Sequence, residues 1–199
     1  MAVQAERQTL AEVIERLVPI VGVPRNFPVV ANRGAVGHHL EDLMGIPRGP
    51  ACLDCADGEV KTFPVKRTTN GTYVPKETIA VTMLNNNGLL NTDFAQSRCC
   101  IKLTRTLYIP YYREEEIITY LRPTLIDLGL PEYANLRETL ENDYNSIRGY
   151  LQTNENLDGS SVLGTYLQNR TKGQGGDAPR TRAFYLRPAF MSEFVIQNF

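Results

Sequence analysis

The first regular pattern along the chain is that of an amphipathic helix. Apolar residues recur at steps of three or four from residue 10 onward: Leu10, Val13, Ile14, Leu17 and Val18. This spacing places them on one helix face, and Thr9 with Glu12 has the form of a capping box. We therefore predict a first helix over residues 10–18 and a second short helix over residues 36–44.

The period then changes to that of β-strands. Segments 59–66, 78–84 and 104–109 are rich in Val, Ile, Thr and Tyr, and we predict a strand in each. From Pro131 the helical period returns and predicts a long helix whose acidic face is solvated. Its apolar positions are Leu136, Leu140, Tyr144, Ile147 and Leu151.

The last part of the chain predicts two more short strands, over residues 164–168 and 182–187. Between them, residues 169–181 are basic and rich in glycine, and we expect a mobile loop there. Residues 24–32 and 154–161 are also predicted to be loops. Helices that alternate with strands indicate an α/β fold.

Composition and length are those of a soluble globular protein. The 199 residues are 42% hydrophobic and 22% charged, enough for one domain, or one domain divided by a cleft into two lobes. No apolar run has the length of a transmembrane helix, and the N-terminus lacks the features of a secretory signal. We expect a cytoplasmic protein, encoded by a bacterium or a phage, with no membrane partner.

The charge is unevenly distributed, although the net charge is only −1. Lysine and arginine dominate residues 60–106 and 170–187, whereas acidic residues are concentrated in residues 114–143. Two basic segments and one acidic block fit a positively charged cleft with an acidic back surface. Because phosphates are neutralised by lysine and arginine, this pattern permits nucleic-acid binding without requiring it.

The segment with the clearest chemistry is residues 52–61, Cys-Leu-Asp-Cys-Ala-Asp-Gly-Glu-Val-Lys. Asp57-Gly58 between strand-like flanks is typical of a two-residue hairpin turn. In such a hairpin Asp54 lies opposite Lys61 and diagonal to Glu59, because side chains alternate along a strand. The pattern therefore predicts that two carboxylates and one ammonium group converge.

This set of side chains suits the hydrolysis of a phosphodiester bond. Asp54 and Glu59 offer the hard oxygen ligands that Mg²⁺ binds, and bound Mg²⁺ neutralises phosphate charge and lowers the pKa of a water molecule. Lys61 can orient that water or stabilise the transition state. The alternative is an exposed hairpin with an ordinary cross-strand ion pair, since so short a motif also arises by chance.

The four cysteines allow two interpretations. Cys52 and Cys55 form a C-x-x-C pair, and Cys99 and Cys100 are adjacent. A structural zinc site is one hypothesis. Neighbouring cysteines rarely both bind one tetrahedral ion in such a framework, so buried free thiols are the plainer interpretation.

Six segments in the same order resemble the MutH family of GATC-directed endonucleases. They are residues 37–41, 58–65, 77–78, 102–110, 166–172 and 184–186. In addition, the Asp54-x4-Glu59-x-Lys61 pattern resembles the active-site signature of the PD-(D/E)XK nucleases, with Leu53 in place of proline. Its spacing is that of MvaI-like restriction enzymes and is shorter than in MutH itself.

The resemblance implies that Asp54, Glu59 and Lys61 are catalytic, that Asp54 and Glu59 bind Mg²⁺, and that Glu41 assists. It implies a DNA-binding set as well: Glu77, Lys102, Arg105, Arg170, Lys172 and Tyr185. Lys102 is expected near the reaction centre, Arg170 and Lys172 at the major groove, and Tyr185 beside the base whose methylation is sensed. The alternative for Arg170 and Lys172 is simple phosphate contact, and the alternative for Tyr185 is core packing.

The implied fold is α/β and restriction-endonuclease-like, with a central mixed sheet flanked by helices and two lobes around a DNA cleft. Residues 1–110 would form a catalytic lobe and residues 111–199 a DNA-recognition lobe. The expected function is a Mg²⁺-dependent type II restriction endonuclease that cuts double-stranded DNA at a GATC-like site, with a cognate DNA methyltransferase as its genetic partner. The alternatives are a MutH-like nicking endonuclease of mismatch repair and a methylation-reading module without catalysis.

Overall fold

Six helices and nine strands are present in the part of the chain that the computed structural model describes, residues 7–29, 34–49, 51–172 and 181–196. The helices are α1 (Leu10–Leu17), α2 (Ala35–Met44), α3 (Asn86–Asn91), α4 (Arg98–Thr104), α5 (Ala134–Thr153) and α6 (Pro188–Phe190). The strands are β1 (Arg25–Asn26), β2 (Glu59–Arg67), β3 (Tyr73–Pro75), β4 (Ile79–Leu84), β5 (Arg105–Glu114), β6 (Ile117–Tyr120), β7 (Thr124–Asp127), β8 (Leu167–Lys172) and β9 (Thr181–Leu186). None of these described helices is long and apolar enough to cross a bilayer.

The first two helices form where the apolar periodicity predicts them. The capping box at α1 is present: the Thr9 hydroxyl accepts a hydrogen bond from Glu12 N–H, and the Glu12 carboxylate accepts one from Thr9 N–H. Leu10, Val13 and Leu17 are buried. The helix ends one residue before the predicted boundary, and the exposed Val18 lies beyond it.

The central sheet is mixed, which confirms the predicted fold class. Its strand order is β1-β6-β5-β2-β3, with β7 also paired to β5. Only the β2–β5 pairing is parallel among the described strands, and it sets Glu59 opposite Thr106. Alternate side chains of β2 and β5 enter two separate hydrophobic cores, one containing α1 and α2 and the other containing α4 and α5.

A second, antiparallel sheet has the order β4-β9-β8. Its strands correct the prediction for the last part of the chain, because β8 covers residues 167–172 rather than 164–168. Residues 169–172 are therefore strand and not loop: the β8–β9 pairing runs from Leu167 and Leu186 to Lys172 and Thr181. The rest of the predicted mobile loop, residues 173–180, lies outside the described residues.

Several other elements differ from the sequence prediction. A short strand, β1, occurs within the predicted loop at residues 24–32, and residues 160–162 form a 3-10 turn. The helix α4 leads directly into β5, which extends to Glu114 instead of ending at residue 109. The pairing of β4 with β9 joins the two proposed lobes, and β5 crosses their boundary at residue 110. The functional division into lobes remains a prediction.

One acidic residue of α5 is not solvated, contrary to the prediction for that helix face. Asp143 is buried, and its carboxylate accepts hydrogen bonds of 2.7 Å from the backbone N–H groups of Thr165, Tyr166 and Leu167. Gly164 precedes them with φ +85°, where a side chain would also collide with the Leu167 carbonyl. Asp143 therefore fixes the entry of the chain into β8.

We predict that Asp143→Ala strongly destabilises the protein, because it leaves three backbone N–H donors without their buried carboxylate acceptor. The expected loss is about 3–4 kcal/mol in the free energy of unfolding, measured by urea denaturation. Glu141→Ala, at an exposed position on the same helix, should change that free energy by less than about 0.5 kcal/mol. Similar stability of the two variants would contradict this role for Asp143.

Candidate active site

The predicted convergence of Asp54, Glu59 and Lys61 is present in the structure. Glu59 and Lys61 are alternate residues of β2 and project from the same side of the strand. The Lys61 Nζ atom lies 2.5 Å from Glu59 Oε1 and 4.0 Å from Asp54 Oδ2. The ammonium group thus lies between the two carboxylates at the start of the strand.

The local structure that carries Asp54 is different from the predicted hairpin. Residues 52–57 are a series of bends and form no strand, and Gly58 is not in the positive-φ region that a type I′ turn requires. Asp54 reaches the site because its Oδ2 atom accepts a hydrogen bond of 3.0 Å from Val60 N–H. The convergence was predicted correctly, but the hairpin was wrong.

The bends are held by contacts that the sequence did not reveal. Asp57 accepts a hydrogen bond of 2.7 Å from Leu10 N–H and pairs through its other oxygen with Arg105. Ala56 N–H donates to the carbonyl of Gln8. At Gly58 a Cβ atom would collide with the Leu10 side chain and the Arg105 carbonyl. Asp57-Gly58 therefore joins the Asp54 loop to α1 and β5 instead of forming a turn.

Glu59 is the most unusual charge of the site. Its residue exposure is 1%, and its Oε1 atom accepts hydrogen bonds of 2.5 Å from both Lys61 and Lys102. Its Oε2 atom is buried and has no hydrogen-bond partner among the described residues. An unpaired buried charge is costly, and the two ammonium groups offset that cost for Glu59. Its Oε2 atom remains available to bind another cation.

Lys102 is positioned by the connection between α4 and β5. It lies in the last turn of α4, and its carbonyl accepts a hydrogen bond of 2.7 Å from the Thr106 hydroxyl. Thr106 is the residue of β5 that pairs with Glu59. The parallel pairing therefore brings the end of α4 beside the start of β2, and the Lys102 side chain reaches the Glu59 carboxylate.

The donor set fits a hard divalent cation. Within the described residues, no three His, Cys, Asp or Glu side chains cluster to hold a metal ion. Mg²⁺, however, commonly binds to only one or two protein carboxylates and completes its shell with water and phosphate. Asp54 and Glu59, with its unpartnered buried oxygen, satisfy that requirement.

The cysteines have the burial expected of free thiols. Cys55, Cys99 and Cys100 are buried, and Cys52 is half-buried. Burial, with a smaller contribution from the nearby carboxylates of Asp54, Asp57 and Glu59, raises the pKa of Cys55 to about 12. Burial also raises the pKa of Cys99. Protonated thiols are poor metal ligands, so these shifts do not favour the zinc hypothesis.

Two predicted carboxylates lie along a groove with Lys61. The groove has a volume of about 390 Å³ and is lined by α2, β2 and residues 76–80, including Glu41 and Glu77. α2 approaches β2 closely at Gly37, where a Cβ atom would make a tight contact of 3.2 Å with the Thr62 hydroxyl oxygen. Glu41 forms an ion pair of 3.3 Å with Arg48. The predicted roles of both carboxylates are compatible with this placement.

Arg105 is occupied by contacts within the protein. Besides its pairing with Asp57, its Nε atom lies 3.4 Å from Asp127 Oδ2. It does not line the groove that contains Lys61 and Glu41. The structure thus gives Arg105 a positioning contact, and its expected contact with DNA remains a prediction.

The second sheet brings Arg170, Lys172 and Tyr185 to one face. Directly paired residues of antiparallel strands share a face, and the β8–β9 register pairs Gln168 with Tyr185 and Arg170 with Ala183. The Arg170 guanidinium lies 5.9 Å from the centre of the Tyr185 ring. It also donates a hydrogen bond of 3.0 Å to Thr78, which lines the groove of Lys61.

A mixed α/β sheet with a D-x4-E-x-K cluster at the start of a strand is the arrangement expected of a PD-(D/E)XK-type nuclease. Residues 52–143 match the family model described as DNA mismatch repair enzyme MutH. The match covers less than half of the chain, and it agrees with the resemblance given by residues 58–65, 77–78 and 102–110. The roles inferred from the other similar segments remain predictions.

Among solved structures, the chain is similar to one described as a restriction endonuclease MvaI–cognate DNA substrate complex. The TM-score is 0.44 and the sequence identity 13%, over 93% of this chain and 94% of that chain. At these values the similarity supports no inference about the chemistry of this chain. No curated protein sequence matches it significantly.

The contacts of Asp57 generate a test of how the Asp54 loop is held. Asp57→Ala removes the acceptor of Leu10 N–H and the partner of Arg105. We expect it to lower the free energy of unfolding by about 1–3 kcal/mol, discounted for partial exposure of the pair. Urea denaturation measures the change. Glu15→Ala, at an exposed position of α1, is the control. Equal effects of the two substitutions would contradict the role of Asp57 in holding the Asp54 loop.

Proposed function

We propose that this protein is a Mg²⁺-dependent endonuclease that cuts double-stranded DNA at a short specific sequence, as a type II restriction enzyme with a GATC-like site. The buried Glu59 carboxylate carries the proposal, because one of its oxygens is free beside Asp54 while the other contacts two lysines. The MutH-family match of residues 52–143 supports it. Its substrate would place the protein in the cytoplasm.

In this proposal each residue of the cluster has a defined role. Asp54 and Glu59 would hold Mg²⁺, which when bound neutralises phosphate charge and lowers the pKa of a water molecule. Lys61, 2.5 Å from Glu59, orients the attacking water and donates hydrogen bonds to the developing negative charge. Lys102 balances the charge of Glu59 and fixes its carboxylate. Glu41 assists from the neighbouring helix α2, across the groove.

Sequence recognition is assigned to the exposed face of the second sheet. An arginine can donate two hydrogen bonds to O6 and N7 of guanine in the major groove, which identifies that base. Arg170 and Lys172 lie at the exposed end of β8. Tyr185 lies beside Arg170, where an aromatic edge can accept or exclude an adenine methyl group. Glu77, in the groove between this sheet and Lys61, would face the DNA.

A nicking endonuclease of mismatch repair is the second candidate. It is favoured by one observation, the description of the matching family as a mismatch repair enzyme. A restriction enzyme would be paired with a cognate methyltransferase, whereas a nicking enzyme would act with other repair proteins. A reader of methylation without catalysis is disfavoured, because such a module has no need for a buried carboxylate with an unpartnered oxygen.

We predict that purified protein with Mg²⁺ converts plasmids to discrete linear fragments, in a manner that depends on adenine methylation at GATC. Matched methylated and unmethylated plasmids, separated on agarose, provide the measurement, and EDTA should stop the reaction. Nicked circles alone would favour the repair enzyme. Binding of duplex DNA without any cutting would instead indicate the reader and reject the proposed catalysis.

We predict that Lys61→Ala abolishes cleavage and leaves DNA binding largely intact. The Lys61 ammonium group contacts the Glu59 carboxylate and not the second sheet, to which we assign recognition. Its loss should therefore affect the chemical step. Single-turnover cleavage and gel-shift titration measure the two properties separately. Lys66→Ala removes an exposed lysine from the same strand and should cut at nearly the wild-type rate. Normal cleavage by Lys61→Ala would reject the assigned mechanism.

Arg170→Ala tests base recognition. If Arg170 reads one base, this variant should lose about 1–3 kcal/mol of discrimination at a single position of the site. Cleavage rates on a set of duplexes with single base-pair changes give that quantity. A uniform loss of rate or affinity across the whole set would make Arg170 a phosphate contact instead.

A further inference from the structure

A second groove opens beside the catalytic cluster, on the side of α4. It has a volume of about 590 Å³ and is lined by β4, α4 and the residues between them, with the end of β8 at its rim. We name it the basic groove, after the three cations that line it: Arg98, Lys102 and Lys172. Its volume is in the range of ligand-binding sites rather than of packing defects.

Two of the three cations of the basic groove have no partner among the described residues. None of the described residues that line it is acidic. Lys102 is paired with Glu59, but the Arg98 guanidinium and the Lys172 ammonium form no hydrogen bond or ion pair with any described residue. Cations without partners in a concave surface concentrate anions. The groove therefore has the electrostatics of a site for a negatively charged ligand.

The position of Arg98 relates this site to the catalytic cluster. Arg98 and Lys102 are four residues apart on α4 and so share one face of the helix. They are separated by about one helical turn, roughly 5.4–6 Å along the axis, and Lys102 Nζ lies 2.5 Å from Glu59 Oε1. An anion bound by Arg98 would therefore lie next to a scissile phosphate placed at the Glu59 carboxylate.

The second sheet lines part of the groove, through β4, Phe184 of β9 and Lys172 of β8. Lys172 is the last residue of β8 and shares a sheet face with Arg170, two residues earlier. Met83 of β4, which is half exposed, also lines the groove. The basic groove thus extends from Lys102, which contacts Glu59, to the surface that we assign to base recognition.

We propose that the basic groove binds the phosphodiester backbone of the DNA next to the scissile bond, and that Arg98 is a phosphate contact. This inference rests on the proposed function and adds the path of one strand to it. A guanidinium can donate two parallel hydrogen bonds to a phosphate. A contact of this kind fixes the register of the DNA and carries no sequence information.

The test compares Arg98→Ala with Arg98→Lys and with Arg137→Ala, which removes an exposed and likewise unpaired arginine from α5. Binding is measured in EDTA, over a range of salt concentrations, on a duplex that contains the cleavage site and on one that lacks it. Arg98→Ala should weaken binding several-fold on both duplexes and reduce the slope of log affinity against log salt by about 1. Arg98→Lys should retain the slope, and Arg137→Ala should match the wild type.

The outcomes separate this inference from the proposed function. If the wild type cuts DNA but Arg98→Ala has unchanged affinity and salt slope, the basic groove is not the path of the backbone and the nuclease assignment stands. If Arg98→Ala weakens binding to the specific duplex alone, Arg98 reads a base and the inference is wrong. If the wild type binds neither duplex, both proposals fail. Thermal unfolding checks that each variant is folded, as expected at an exposed position.

Discussion

The candidate site depends on one buried charge, the carboxylate of Glu59. A carboxylate that is 1% exposed is tolerated only if other groups balance its charge. The two ammonium groups that balance it come from different parts of the chain, Lys61 on the same strand and Lys102 on α4. Only the parallel pairing of β2 with β5 brings the second one close. The charge balance at Glu59 therefore depends on the topology of the central sheet.

This dependence explains which features could be read from the sequence. Local periodicity identified α1, α2, β2, β4 and α5 nearly to their ends, because each element buries a regular set of apolar residues. The approach of Lys61 to Glu59 followed from the alternation of side chains along a strand. The resemblance to the MutH family placed Lys102 near the reaction centre, although local pattern gave no indication that it contacts Glu59.

The errors have a common origin in contacts between distant residues. Asp57-Gly58 is a strong local signal for a turn. In the structure, however, Asp57 bonds to Leu10 and Arg105, the same two residues pack against Gly58, and the hairpin does not form. Asp143 has the sequence context of a solvated helix face and is buried against residues 165–167. α4 is only seven residues long, too short for helical periodicity to stand out from the strand that follows.

The way Asp143 holds the chain before β8 has a consequence for how such a protein can diversify. The buried first half of β8 is fixed to α5, whereas its last three residues, Arg170, Thr171 and Lys172, are exposed. Substitutions at these outer positions leave the hydrophobic core and the Glu59 cluster unaltered. In the proposed endonuclease, a lineage could therefore change its target site through substitutions at these three exposed positions, while the proposed catalytic cluster is inherited unaltered.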